Sequence, residues 1–322
     1  MDKHLSTTMQ NNEFSKNNLQ HDEINIQELI SIVWQGKLVI FIVTTLFAVC
    51  SVFYAIHQPN IYKSEALLAP AEENKAGGLS ALAGQFGGLA SLAGVNINNS
   101  SGNNSQLAVE ILKSRKFISE FIKRHALMPD LLAVETWDLA SNTIAYNPKL
   151  YNSQSKEWVR EVTYPKKPIP SMQEAYKQIM QLINIDMDVE TGMTRLSVEH
   201  QSPFIAQQWV NWLVHDINEE MKERDVSEAN KSTEFLSAQL KKTRVADIRA
   251  VLYKLIEEQS KTIMFANVRD EYVFKTIDPA LVPEEKFKPQ RAIICIVGVL
   301  LGVLLSIIFV ISKNFIQQSR KQ

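Results

Sequence analysis

The sequence predicts an α+β membrane protein: two transmembrane helices flanking one large α/β domain that carries a long extended helix. Three observations point there. LVIFIVTTLFAVCSVFYAI (38–56) and AIICIVGVLLGVLLSIIFVI (292–311) run nineteen and twenty residues without a charge, the length a helix needs to cross about 30 Å of hydrocarbon. Between them, short β patterns alternate with helical periods. Residues 204–277 contain neither Gly nor Pro in 74 positions, which leaves room for an uninterrupted helix.

Neither apolar stretch has the polar stripe of a core helix. A signal peptide begins near the N-terminus and ends in small residues, whereas the first stretch follows 37 residues and ends Phe53-Tyr54-Ala55-Ile56. The expected organisation is therefore an N-terminal segment (1–37), a first span (38–56), a central domain (57–291) with its long helix at about 225–265, a second span (292–311) and a tail (312–322). The central domain holds 28 Lys/Arg and 30 Asp/Glu, a balance unlike a nucleic-acid groove. Cys50 and Cys295 both lie inside the spans, so the domain can form no disulfide. Lys/Arg flank the spans equally on both sides, and the positive-inside rule selects no orientation. Two spans place both termini on one side.

Along the chain, residues 1–23 are polar and Asn-rich, and 24–35 form an amphipathic lead-in. IYKSEALLA (61–69) reads as a strand. Seven of the eleven glycines fall between Gly77 and Gly102, within the imperfect repeat GGLSALAGQF–GGLASLAGVN (77–96). It reads either as an interface-forming loop or as an insertion without fixed structure, and the retained Leu and Ala favour packing. Gln106 to His125 should be one helix with Ser105 as N-cap. Five prolines make 126–170 coil-rich, with Trp137, Tyr146, Tyr151, Trp158 and Tyr164 available to stack on sugars or, more commonly, to anchor coil to core. Ser171 and Glu174 form a capping box. A hairpin follows with Thr191-Gly192 as a two-residue turn, which would pair Met187 with Leu196, Ile185 with Val198 and Asp188 with Arg195. Ser202-Pro203 then opens the long helix.

On that helix Val245, Ile248, Leu252 and Leu255 make an apolar seam, facing either the protomer's own core or a neighbouring copy. Gly298 and Gly302 in the second span share one helix face, where another backbone can approach closely. The sequence has no HExxH, GxSxG, CxxC or Walker A motif, and its six histidines are scattered. No residue set points to catalysis, a metal or a cofactor.

The run ANVRDEYVFKTIDPALVPEEKFKP (266–289), entering a Gly-containing span, resembles the Wzz chain-length-determinant family, with Asp278, Pro279, Pro283 and Pro289 as its motif positions. Further pieces fit in order: QELISIVWQGK before the first span, ILKSRKF (111–117), Trp158-Val159-Arg160, SPFIAQQWVN (202–211) and IEEQSKTIMFA (256–266). The resemblance implies a bacterial inner-membrane protein with cytoplasmic termini and a periplasmic domain. It implies a ring-forming homo-oligomer, not an enzyme, that sets the modal length of lipopolysaccharide O-antigen made by a separate polymerase on a lipid carrier. Relatives in capsule export carry a fused kinase, and the eleven-residue tail favours the O-antigen branch. A kinase-less accessory role in capsule, exopolysaccharide or common-antigen assembly is the alternative.

Overall fold

The computed structural model describes residues 32–71 and 100–319; the polar N-terminal segment and the 77–96 repeat lie outside them. The elements begin with α1 (Lys37–His57), β1 (Tyr62–Pro70), α2 (Ser100–Lys113), α3 (Arg115–Arg124) and α4 (Met128–Leu132). Two small hairpins follow, β2 (Val134–Asp138) with β3 (Thr143–Tyr146) and β4 (Tyr151–Asn152) with β5 (Glu157–Trp158). Then come α5 (Met172–Leu182), β6 (Ile183–Met187), β7 (Thr194–His200), α6 (Pro203–Lys242), α7 (Ala246–Val268), β8 (Phe274–Asp278) and α8 (Arg291–Ser319). The chain makes two compact bodies, one of Met1–His57 and Gln290–Gln322, the other of Gln58–Pro289.

In the first body α1 and α8 pack against each other. Their apolar windows are only 6% and 17% buried. A core helix would hide its apolar face, so these faces suit lipid. The second body is α+β. Its antiparallel sheet has the order β6-β7-β1-β8. Ser64, Ala66 and Leu68 of β1 and Leu196 and Val198 of β7 are buried on the face against α6. From α6, Trp209, Val210, Leu213 and Ile217 recur at helical spacing and are fully buried. They meet Phe121, Ile122, Ile179 and Phe274 in one cluster, each large side chain contributing roughly 1.5–3 kcal/mol by leaving water.

Local chemistry explains the elements. The capping box at Ser171 and Glu174 is formed. Ser202 Oγ accepts from Ile205 N and Pro203 opens α6, filling a helix start where orphan N–H groups need acceptors. Other expectations change. The helix awaited over residues 106–125 is two, α2 and α3. Ser105 is buried inside α2 and caps nothing, while Ser114 breaks the run and accepts from Phe117 N. The β6–β7 hairpin forms, but its pairs are Met187 with Thr194, Ile185 with Leu196 and Asp186 with Arg195. The turn spans 188–193, because the Asp188 carboxylate accepts from Glu190 and Thr191 N–H and Gly192 adopts φ +72°. A two-residue slip keeps every side chain on its expected face. The coil-rich 126–170 segment contains the two small hairpins.

The helix expected over 225–265 is interrupted at residues 243–245, where Thr243 and Val245 are extended. Forty residues of α6 still reach about 60 Å. α7 then folds back along α6: the chain after it meets α6 again at Asn218 and Asp225.

Candidate functional surfaces

The span pair runs antiparallel with small residues at its seam. A Cβ added to Gly36 would strike Val310, one on Gly302 would lie 2.8 Å from Phe47 Cβ and 3.3 Å from Thr44 Cα, and one on Gly298 would strike the Ser51 side chain. Arg291 Nε donates to Ala55 O at 3.2 Å. Gly298 and Gly302 therefore face the first span of the same chain. The four-residue period continues to Ser306 and Val310, both buried. The sequence reading stopped at Gly302 and missed these two and Gly36, although the spacing was present. Close backbone approach is what holds helices together in lipid, where apolar area gives no net drive.

Leu252 and Leu255 lie on α7 and are half-buried. The shielded positions run 252, 255, 256, 258, 259, 261, 262, 263 and 266, a face turned toward α6, which is the element α7 packs on. Ile248, Val251 and Tyr253 of the same helix and Val245, in the break before it, remain 50–59% exposed, and Phe235 of α6 is 63% exposed.

Asn218, which sequence reasoning missed, ties the hairpin root to the sheet. It is 3% exposed, its Oδ1 accepts from Tyr272, Val273 and Phe274 N–H at 2.8–3.1 Å, and its Nδ2 donates to Val214 O and Phe274 O. Tyr272 Oη donates to Asp225 at 2.6 Å. An Asn in a 74-residue stretch free of breakers looks like a surface residue; nothing local marks its tertiary acceptors.

The segment after β8 holds Asp278, Pro279, Pro283 and Pro289. Asp278 ends β8 opposite Leu67 and is exposed, as is Pro279, while Pro283 and Pro289 are half-buried. Gln207 Nε2 donates to Ala280 O, Ser64 Oγ to Leu281 O, and Ile61 exchanges hydrogen bonds with Lys288. Prolines suit this run because it is extended and needs few N–H donors. Lys288 Nζ lies 2.6 Å from Glu199.

The charged clusters are structural in geometry. Buried Asp216 bonds His125 Nε2 at 3.0 Å and Arg124 at 3.1 Å, with His125 stacked on Trp212. Arg160 grips the Glu174 carboxylate with two nitrogens and donates to Lys167 O and Pro168 O; the guanidinium draws the Glu174 pKa down to about 2. Burial lowers the pKa of His200, whose Nδ1 accepts from Ser202 N and whose Nε2 donates to Asp130 O. Burial and the Asp130 carboxylate, 2.5 Å away, raise Tyr146. A groove of about 760 Å³ between α3 and α6 is lined by both signs of charge, and Lys116–Glu220 bridges it at 3.2 Å. Of the five aromatics, Trp137, Tyr146, Tyr151 and Trp158 pack in ring contacts, while Tyr164 is 96% exposed. Among the described residues no three His, Cys, Asp or Glu gather as a metal site.

Two helices long and apolar enough to cross a membrane thus flank one α+β domain that carries a helical hairpin. The Wzz family model, "Chain length determinant protein", matches residues 22–125, and the GNVR model, "G-rich domain on putative tyrosine kinase", matches 240–315. Over residues 22–125 the chain is similar to the Wzz chain-length-determinant family. No curated protein is significantly similar to it. Among solved structures, a full-length bacterial polysaccharide co-polymerase is similar at 14% identity and TM-score 0.37, covering 91% of this chain and 99% of that one. A fragment of WzzB, a polysaccharide co-polymerase from Salmonella Typhimurium, is similar at 12% identity and TM-score 0.27, covering 71% and 100%.

Proposed function

We propose that the protein is a non-enzymatic co-polymerase that sets the modal chain length of lipopolysaccharide O-antigen made by a separate polymerase. It sits in the bacterial inner membrane with both termini cytoplasmic and the 58–289 domain periplasmic, acts as a ring-shaped homo-oligomer, and works on lipid-linked polysaccharide without a cofactor. The observation that carries this reading is the chain-length-determinant match over 22–125, the stretch that contains the first span and the first strand of the domain. The hairpin supports the oligomer: with Leu252 and Leu255 turned to α6, the exposed Ile248 and Val251 on α7 and Val245 just before it are left for another copy.

A second reading has its own support. The GNVR match over 240–315 covers α7, the proline segment and the second span, and favours an accessory role in capsule, exopolysaccharide or common-antigen assembly. Deleting the gene and resolving the cell's lipopolysaccharide on a gel separates the two. Loss of a modal band cluster, restored by the intact gene, supports O-antigen control. Unchanged bands with altered capsule support the second reading and overturn the first.

A further inference from the structure

One end of the 58–289 body gathers exposed apolar side chains that its fold does not use. Tyr62 opens β1 opposite His200, the last residue of β7, and its ring meets Trp137 edge-on at 5.6 Å. Trp137 in turn lies 6.4 Å from Phe204, in the first turn of α6. Beyond Trp137 the β2–β3 turn holds Leu139, 75% exposed, while Phe204 is 46% and Phe287 41% exposed. The turn is stiff. Asp138 accepts from Ala140 N and Ser141 Oγ, and the Trp137 indole N–H donates to Asn142 at 2.9 Å. A leucine is thus fixed outward where a polar turn residue would serve the hairpin as well.

The chain itself says what this end is near. Three residues separate Ile61 from His57, the last residue of the first span, and two separate Lys288 from Arg291, the first of the second. Ile61 and Lys288 are paired to each other. Fully extended, those linkers reach at most about 14 Å and about 11 Å. The headgroup layer beyond the hydrocarbon is roughly 5–8 Å deep on each side, and Trp and Leu side chains partition into such a layer. Of the lysines at this end, Lys63 pairs with Glu65 and Lys288 with Glu199, while Lys286 is exposed.

We propose that Leu139, Trp137 and Phe204 form a collar that dips into the headgroup layer of the membrane the protein's own spans cross. It is held there by apolar and aromatic contact and not by anionic lipid. The collar would fix the tilt of the domain on the bilayer, which two short linkers alone leave free.

The test uses the full-length chain, with Cys50 and Cys295 replaced by Ala, in nanodiscs of phosphatidylethanolamine with phosphatidylglycerol and in nanodiscs of phosphatidylcholine alone. A spin label on Leu139→Cys is compared with one on Val189→Cys, an exposed residue (77%) in the turn at the other end of the sheet. The expected oxygen-to-nickel-chelate accessibility ratio is several-fold higher at 139 than at 189 in both lipids. Equal ratios overturn the proposal. So does protection from both reagents with dipolar broadening, which would bury Leu139 between copies, and so does insertion confined to the anionic discs. Ala140→Cys, one position along the same turn, serves if the Leu139 variant does not fold.

Discussion

Arg160 shows at the scale of one side chain how a coil segment is made rigid. Its guanidinium closes the 160–174 loop by bonding two backbone carbonyls and the carboxylate that also caps α5. The consequence is a pH dependence whose sign is fixed. Glu174 titrates at about 2 when folded against 4.5 unfolded, so the unfolded chain binds the proton first as pH falls. The stability it contributes is complete above pH 4.5 and is lost between there and pH 2. His200 adds an earlier slope: burial depresses its pKa below 6.5, so its contribution is full above that value and declines as pH falls below it. Melting temperatures of the purified protein should therefore drop below pH 6.5 and again below 4.5. Glu174→Gln should lower stability at neutral pH and flatten only the second decline. An unchanged acid limb in that variant would show that the fork does not hold the loop.

At the scale of elements, two helix pairs carry the testable geometry. In the hairpin, Leu252 and Leu255 face α6 while the sheet core is built elsewhere, from Trp209, Leu213 and Ile217. An Asp at either leucine should cost a few kcal/mol by leaving a charge half-buried. Hydrogen exchange should then rise in residues 225–268 and not in the sheet, with large oligomers lost on cross-linking. Degradation of the whole protein would instead place those leucines in the folding core. In the span pair, Gly298→Leu with Gly302→Leu should leave insertion intact, because leucine suits hydrocarbon. The new side chains would collide with Ser51 and Phe47, so the spans must separate. Inter-span cross-linking should fall and the chain-length distribution broaden. Wild-type cross-linking and banding from the inserted double variant would make the glycines incidental.

At the scale of the whole molecule, what could be read in advance was what short-range chemistry dictates. The charge-free lengths gave the spans, Ser171–Glu174 and Ser202-Pro203 gave two helix starts, and apolar alternation gave β1 and the β6–β7 hairpin. The misses share a cause. Ser114 and Thr243–Val245 break helices without Gly or Pro, and the basic Lys241-Lys242 followed by Asp247 was the only local sign of the second break. The hairpin register turned on Asp188 capping its own turn. Asn218 became an anchor only because Tyr272–Phe274 return to it from 54–56 residues away. Long-range pairing of that kind is also why single polar residues should behave as parts of a scaffold. Glu257 pairs with Lys261 at 2.7 Å on an open helix face, His200 spends both ring nitrogens on backbone, and Asp270 lies in the link between α7 and β8. Alanine at each should shift the chain-length distribution by degrees, His200→Ala the most because it leaves Ser202 N–H and Asp130 O without their partner. Polymerisation itself should continue in all three. The measurement is the lipopolysaccharide ladder at matched protein abundance and oligomer size. If one of these alanines abolished polymer outright with assembly normal, the residue would be acting on a reacting bond, and the scaffold reading would have to give way to a catalytic one.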